Sequence, residues 1–335
     1  MAPLASPNAF SLIRWLFALS LILFHGSVAA GHAYGWIVSP HSIICVFFVM
    51  SGMLTYNSYL LHPGAGAFYL RRIRKIVPPY AAVIILAAAG GAFVSTLGAD
   101  EYFTHTGTFK YLAANLTFLN FLAPGLPGVF EGNIVTAVNS SLWTMKVEVA
   151  FYILLPAMVW LMRRFRPAHV IAALYLLSVV WNIAFQLLYQ STGNGLYDML
   201  RRQVFGQMMY FAAGMAAVHV HTYLLRRKWA VLACSVVLWA VCDRYAPLRL
   251  VEPVAIAAAL TVVACGSARL SRLSARTPNL TYEVYLLHFP VIQVLVATGF
   301  FAAAGFYPAI TAAAAVILLL SLVLHKAVHR FAAAR

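Results

Sequence analysis

The sequence predicts an all-α protein that crosses a membrane many times. Three observations indicate this class: 63% of the 335 residues are hydrophobic, only 9% are charged, and the mean hydropathy is +0.85. Soluble domains carry about 25% charged residues, and a helix of about 20 apolar residues spans a bilayer. No long polar stretch remains that could fold as a separate soluble domain.

Apolar runs of spanning length predict a bundle of about ten transmembrane helices. The apolar piece from Tyr111 to Leu122 is too short to span and predicts one extra re-entrant or surface segment. The runs fall near residues 10–30, 42–61, 80–98, 140–162, 170–189, 204–224, 229–243, 250–266, 280–300 and 304–324.

The first run has an alternative interpretation as a cleaved secretory signal. Arg14 precedes an apolar stretch that ends in the small residues Val28 and Ala30, and this order is typical of such signals. Because the rest of the chain is also membrane-embedded, a retained first helix is favoured.

Basic residues in alternate loops predict the orientation of the helices. Sixteen loop and tail cations lie on one side and five on the other. Loops rich in Lys and Arg are the cytoplasmic ones, so both termini are expected in the cytoplasm. The opposite loops also hold acids, among them Asp243 and Glu252. The net charge of +15 reflects these short clusters between apolar runs, so no nucleic-acid partner is expected.

All four cysteines fall inside apolar runs: Cys45, Cys234, Cys242 and Cys265. Their spacing matches no metal-ligand pattern, so we expect small core residues and neither a disulfide nor a metal site.

Arg14 and His25 are expected to share one face of the first helix. Eleven residues correspond to three turns and roughly 20°, and place the two side chains roughly 16 Å apart along the axis. Arg14 would lie at the cytoplasmic interface and His25 near the middle of the membrane. A lone histidine inside a membrane helix is bonded to a backbone carbonyl as often as it has a function. Polar groups on other helices at the same depth are therefore needed before His25 becomes a functional candidate.

Ser51 and Glu148 are expected at a depth similar to that of His25, on the second and fourth helices. A carboxylate in a membrane is costly unless it is paired or faces a wet cavity, which makes Glu148 a functional candidate. The Ser51-Gly52 pair has an alternative role, because small residues allow two helices to pack closely.

The fourth helix carries a polar stripe formed by Ser141, Thr144, Glu148 and Tyr152 at helical spacing. Lys146 could pair with Glu148, but two residues apart on a helix the side chains point roughly 200° from each other. The ninth helix carries a similar stripe of Thr281, Tyr285 and His288, with Glu283 beside it, and we expect this stripe nearer the cytoplasmic side.

The densest cation cluster comprises Arg71, Arg72, Arg74 and Lys75. It could simply set the topology or contact anionic lipids. It could also bind the phosphates of a cytoplasmic cofactor together with Arg14.

These motifs together resemble the acyltransferase 3 family of integral membrane acyltransferases. The chain has Met145 where leucine is common in the family. The resemblance rests on Arg14 and His25 at the family spacing, Phe47-Phe-Val-Met-Ser-Gly52, Arg71-Arg-Ile-Arg-Lys-Ile-Val-Pro-Pro-Tyr80, Ser141-Leu-Trp-Thr-Met-Lys-Val-Glu148 with Phe151, Tyr152 and Pro156, and Tyr282-Glu-Val-Tyr-Leu-Leu-His-Phe-Pro290.

The resemblance implies a bacterial inner-membrane enzyme of ten or eleven helices. It would take an acyl group, usually acetyl, from cytoplasmic acyl-CoA and place it on a hydroxyl of a surface polysaccharide or its lipid-linked precursor. It also implies functional importance for Arg14 and His25. We expect residues 1–335 to form a single membrane domain with no fused extracytoplasmic domain and no metal cofactor.

Our mechanistic hypothesis makes His25 the base and Glu148 its orienting partner, because a carboxylate on the second ring nitrogen would fix the tautomer. Arg14 and the cluster of Arg71, Arg72, Arg74 and Lys75 would hold the CoA phosphates. A covalent acyl-histidine is an alternative. The substrate path would be lined by Ser51, Trp143, Thr144, Tyr152, Tyr285 and His288.

The competing hypothesis is a transporter of an anionic solute in which the same His and Glu relay protons. A membrane scaffold without chemistry would leave Glu148 unexplained.

Overall fold

A computed structural model describes Leu4, residues 7–33 and residues 39–333, and every regular element in that part of the chain is a helix. This result confirms the predicted all-α class. Short 3-10 turns lie at Asn120–Leu122, Ser140–Leu142 and Ala246–Leu250. The α-helices are α1 (Phe10–Ala29), α2 (Pro40–Leu61), α3 (Ala65–Gly91), α4 (Ala99–Thr104), α5 (Thr106–Leu116), α6 (Trp143–Arg164), α7 (Pro167–Thr192), α8 (Gly195–Arg201), α9 (Val204–Arg226), α10 (Lys228–Arg244), α11 (Glu252–Cys265), α12 (Ala268–Ser274), α13 (Thr281–Ala297), α14 (Phe300–Ala304) and α15 (Phe306–Ala333).

Each of the ten predicted runs overlaps one helix: α1, α2, α3, α6, α7, α9, α10, α11, α13 and α15. Within the described residues, seven helices are long and apolar enough to cross a membrane, and α11 with α12 forms an eighth candidate bent by 82°. The chain is therefore a multi-pass membrane protein. The cytoplasmic location of both termini stays a prediction, and Arg335, one of the cations behind it, lies outside the described residues.

The structure corrects the start of the third predicted helix. We predicted residues 80–98, whereas α3 runs from Ala65 to Gly91. The cations Arg71, Arg72, Arg74 and Lys75 therefore lie on a helix and not in a loop. Arginine and lysine are good helix formers, so their charge alone does not end a helix.

Two prolines, Pro78 and Pro79, lie inside α3. Each proline lacks a backbone N–H and leaves a carbonyl one turn earlier without its helical partner. Membrane helices tolerate this when neighbouring groups supply replacement bonds. Next to the disrupted turn, the Tyr282 hydroxyl donates to the carbonyl oxygen of Ile76 at 3.2 Å.

The chain divides into two compact units. The first contains Met1–Arg14, Val38–Tyr69 and Val147–Thr277, and the second contains Trp15–Ile37, Leu70–Lys146 and Pro278–Arg335. Within the second unit, α1, α13 and α15 share an apolar core. This core includes Ala18, Ile22, Val284, Ile292, Ile310 and Ile317.

In the first unit, α2 and α9 pack backbone against backbone through two glycines. A Cβ atom at Gly52 would lie 2.2 Å from the carbonyl oxygen of Phe211, and one at Gly214 would lie 2.2 Å from the carbonyl oxygen of Val49. Only glycine fits at either position, as expected where two membrane helices approach closely. Gly52 thus has the packing role that we considered as its alternative.

We expect Gly52→Ala to destabilise the protein by about 1–3 kcal/mol, because the added methyl group overlaps the α9 backbone. The measurement is the melting temperature of the purified protein in detergent. Gly90→Ala is the matched control, since a Cβ there meets nothing within 4 Å. Equal melting temperatures for the two variants would contradict this close packing.

Candidate functional site

Two histidines meet in the second unit. Nδ1 of His25 lies 2.7 Å from Nε2 of His288, and the rings stack with their centroids 4.9 Å apart. His25 lies near the end of α1 and is partly exposed, whereas His288 lies in the middle of α13 and is buried. Phe289 packs edge-on against the His25 ring with a centroid distance of 5.0 Å.

The hydrogen bonds of His288 assign the protons of this pair. Nδ1 of His288 lies 2.7 Å from the carbonyl oxygen of Tyr285, which can only accept, so this nitrogen carries a proton. In a neutral imidazole the other nitrogen is then an acceptor, and Nδ1 of His25 must donate to it. A neutral His25 therefore keeps an unprotonated Nε2, which is the nitrogen that a general base needs.

Hydrogen bonds of hydroxyl groups attach the first turn of α6 to helix α13 within the second unit. The Tyr285 hydroxyl donates to the carbonyl oxygen of Ser141 and lies 2.7 Å from Oγ1 of Thr144. Two of the residues predicted to line the substrate path, Thr144 and Tyr285, are thus bonded to each other. A third, Trp143, is the partly exposed first residue of α6.

Glu148 lies in the first unit and accepts two hydroxyl hydrogen bonds. The Ser51 hydroxyl on α2 donates to Oε1 of Glu148 at 2.6 Å, and the Tyr152 hydroxyl donates to the same oxygen. Ser51 is buried, whereas Glu148 is partly exposed. Such bonds stabilise an ionised carboxylate inside a membrane. Ser51 and Glu148 were expected at one depth, and the structure brings them together.

His25 and Glu148 belong to different units, so their direct pairing stays a prediction. The structure shows a different partner for His25, because its Nδ1 is bonded to His288. A second imidazole thus makes the bond to Nδ1, one of the two ring nitrogens at which an orienting partner can act. Lys146 lies in the second unit with its Nζ atom 4.2 Å from the Phe121 ring centroid.

The predicted phosphate ligands lie on two helices. Three of the α3 cations, Arg71, Arg74 and Lys75, are exposed, and Arg72 is partly buried. Arg14 is partly buried on α1. Arg14 is in the first unit and the α3 cations are in the second, so their joint binding of one ligand stays a prediction.

A family profile described as an acyltransferase domain matches residues 8–326. The chain belongs to this family, acyltransferase 3. The chain is 23% identical over 322 residues to Nodulation protein 10 of Rhizobium leguminosarum bv. viciae, covering 87% of this chain and 84% of that protein. It is 22% identical over 328 residues to the O-acetyl transferase of Shigella phage Sf6, covering 94% and 92%. No solved structure matches the chain.

Membership confirms the resemblance seen in the motifs, and this membrane acyltransferase carries all of its candidate residues within the matched range. The match begins before α1 and includes both Arg14 and His25. The first helix is therefore part of the acyltransferase domain, which argues against the alternative of a cleaved signal.

A buried polar cluster in the first unit of this acyltransferase was not predicted from the sequence. Glu252 was expected in an outer loop, but it is the fully buried first residue of α11. Its carboxylate lies 2.9 Å from Nε2 of His41 and accepts from the Tyr210 hydroxyl at 3.0 Å. The signal that could have revealed the cluster is the spacing of His41 and Cys45, one helical turn apart.

The second intramembrane acid, Glu283, is also paired. Its Oε1 lies 2.7 Å from Nδ1 of His325 on α15. This partner explains how α13 tolerates a buried carboxylate. Glu283 therefore has a structural reason to be where it is, and we assign it no role in chemistry.

Proposed function

We propose that this acyltransferase moves an acyl group, most simply acetyl, from acyl-CoA to a hydroxyl of a surface polysaccharide or its lipid-linked precursor. The observation that carries the proposal is the hydrogen-bonded chain from the Tyr285 carbonyl through His288 to His25, which leaves Nε2 of His25 basic. The name of the phage relative supports acetyl as the group and oxygen as the acceptor atom. We place the protein in the inner membrane of a bacterium.

In the proposed reaction, Nε2 of His25 takes the proton from the acceptor hydroxyl. The hydroxyl oxygen attacks the thioester carbonyl carbon, and the carbon–sulfur bond breaks. The proton then passes from the imidazolium to the departing CoA sulfur. In the covalent alternative, Nε2 attacks the thioester carbon itself, the carbon–sulfur bond breaks and CoA leaves as a thiolate. The acceptor hydroxyl then attacks the acyl-imidazolium, which releases His25 as the acyl–nitrogen bond breaks, and the hydroxyl proton passes to the CoA sulfur.

Glu148 is our proposed second catalytic group. Its carboxylate, held by the hydroxyl groups of Ser51 and Tyr152, is suited to stabilising a positive charge on an imidazolium. Trp143, Thr144 and Tyr285 are proposed to line the substrate path.

Labelled acetyl-CoA tests the proposal in vesicles that contain the purified protein. Acceptor-dependent release of CoA, with label appearing on the glycan, is the expected result. Uptake of a labelled anion without CoA turnover would overturn the proposal in favour of a proton-coupled transporter. Mass analysis of the surface glycan with and without the protein then identifies the acceptor.

The cations of α3 are proposed to bind the CoA phosphates. Reversing Arg72 and Arg74 to Glu is expected to raise the KM for acetyl-CoA by at least roughly 100-fold, since each charge-assisted bond contributes roughly 1.5–3 kcal/mol and two such bonds are lost. The matched control reverses two exposed cations elsewhere, Arg164 and Arg166. An unchanged KM in the α3 variant, or an equal rise in both variants, would contradict phosphate binding at this cluster.

A further inference from the structure

We propose that His41, Cys45 and Glu252 form a binding site for a divalent metal ion, with zinc as the best chemical match. Each residue offers one ligand atom, and the three atoms lie within 4.8 Å of one another. Imidazole nitrogen, thiolate sulfur and carboxylate oxygen are the three ligand types that zinc takes in proteins. This metal site was not predicted from the sequence, because the third ligand lies more than 200 residues along the chain from the other two.

The distances suit a tetrahedral ion. Zinc at its usual bond lengths separates a nitrogen ligand from oxygen and sulfur ligands by about 3.3–3.6 Å. Nε2 of His41 lies 2.9 Å from Oε2 of Glu252 and 3.4 Å from Sγ of Cys45. Sγ also lies 3.8 Å from Nδ1 of His41, so the sulfur lies beside the imidazole ring and not ahead of Nε2. Binding of the ion therefore requires the His41 ring to turn until Nε2 points between the carboxylate and the sulfur.

Rigid elements position the three ligands. His41 and Cys45 lie on the same face of α2, one turn apart, in a helix capped by Ser39 and started by Pro40. Glu252 begins α11, which packs against α2 in the first unit. Ligands on helices are held more precisely than ligands on loops, so little ordering is needed when the ion binds.

A shell of hydrogen bonds orients the ligands, as around known metal sites. Ser42 donates to Oε1 of Glu252 at 3.3 Å and accepts from Nε1 of Trp239 at 3.0 Å. The Tyr210 hydroxyl holds the other carboxylate oxygen at 3.0 Å. Oε2 thus contacts both Tyr210 and His41, and the lone pair that faces His41 is the one that would bind the ion.

Exposure gives the ion a route into the site. Cys45 and Glu252 are buried, but the His41 side chain is 39% exposed. Three protein ligands with one accessible side correspond to a zinc site that keeps its fourth position for water. By the predicted orientation this end of α2 faces away from the cytoplasm, so the ion would come from the outer side.

The competing interpretation is a His41–Glu252 ion pair with Cys45 as a neighbour. A buried carboxylate needs such a partner, and the pair alone could satisfy it. The two interpretations differ at Cys45, since a thiol adds little to an ion pair but a thiolate is a strong zinc ligand.

The experiment measures metal binding by the full-length protein in detergent, purified with an affinity tag that lacks histidine. After treatment with a chelator, the protein is titrated with Zn²⁺ against a chromophoric indicator, and with Co²⁺ to record the thiolate-to-metal charge-transfer band. We expect one equivalent of metal and a clear thiolate band. We also expect Zn²⁺ to raise the melting temperature, because the ion binds the folded state.

Variants assign the ligands. Cys45→Ser is nearly isosteric and should abolish the thiolate band, while His41→Asn and Glu252→Gln should weaken Zn²⁺ binding at least about 10-fold. Cys234→Ser, at an exposed cysteine, and His62→Asn, at the other end of α2, are the matched controls and should bind as the wild type does. Absence of stoichiometric binding, absence of the thiolate band, or unchanged affinity in folded Cys45→Ser would overturn the proposal.

Discussion

Replacing His25 with asparagine is expected to lower the rate of acyl transfer by about 100- to 10,000-fold, the usual contribution of a general base. The asparagine side chain keeps an N–H donor near the position of Nδ1, so the bond to His288 can persist. It has no counterpart of Nε2, so the acceptor hydroxyl loses its base. The measurement is the initial rate of acceptor-dependent CoA release at saturating substrates.

His169→Asn is the matched control for this variant, because His169 is exposed at the start of α7 and we assign it no role. Its rate should equal that of the wild type. The His25 variant should also retain wild-type affinity for acetyl-CoA and a wild-type melting temperature. Full transfer by a folded His25→Asn or His25→Ala protein would refute both the base and the acyl-histidine versions of the mechanism.

Replacing His288 with phenylalanine is expected to lower kcat by roughly 10- to 100-fold, the range found when a residue that orients a functional histidine is removed. The phenyl ring offers no acceptor to Nδ1 of His25, so the tautomer with a basic Nε2 loses its support. His288 is buried and acts through His25, so the KM values for both substrates should change little.

His288→Gln separates this positioning role from a merely structural one. Its amide oxygen can accept from Nδ1 of His25, so it should recover a large part of kcat. Both variants remove the side-chain donor to the Tyr285 carbonyl, which lies within α13, and should lose stability by about 0.5–1.5 kcal/mol. In a His25→Asn, His288→Phe double variant, the kinetic effects should not add. Equal kcat losses in the phenylalanine and glutamine variants would contradict the role in tautomer control.

The helices were predictable from sequence because a bilayer demands long apolar runs, and each of the ten runs became a helix. The start of α3 was not predictable in the same way. Four cations precede the apolar run that begins near residue 80, so the apolar pattern alone places the helix start too late. In the folded chain the helix continues through the charged stretch and both prolines, and the Tyr282 hydroxyl binds the Ile76 carbonyl beside them.

The candidate residues of the two units were predictable from the sequence to different degrees. Ser51 and Glu148 were expected at one depth, and they are hydrogen-bonded. His288 was expected nearer the cytoplasmic side than His25, but the two rings touch. Counting residues from a loop assumes that helices start at one level and stand upright. Real membrane helices are tilted and differ in length, so a count of this kind misplaces a residue by a turn or more.

Glu252 shows a different limit of sequence analysis. An acid beside a proline at the start of a helix is typical of an exposed cap. Its complete burial depends on the His41 imidazole from α2 and the Tyr210 hydroxyl from α9. Neither partner is near Glu252 in sequence, so only the folded chain reveals that the charge is compensated.

The two glycine contacts between α2 and α9 restrict how the first unit can move during turnover. Sliding or rotation of either helix would drive the carbonyl oxygens of Val49 and Phe211 into the opposing backbone. We therefore expect α2 and α9 to move together as one body, with Ser51 and Cys45 at fixed positions on α2, whatever substrate is bound. Opening and closing of the enzyme must use other helices, and a crosslink between α2 and α9 should leave turnover intact.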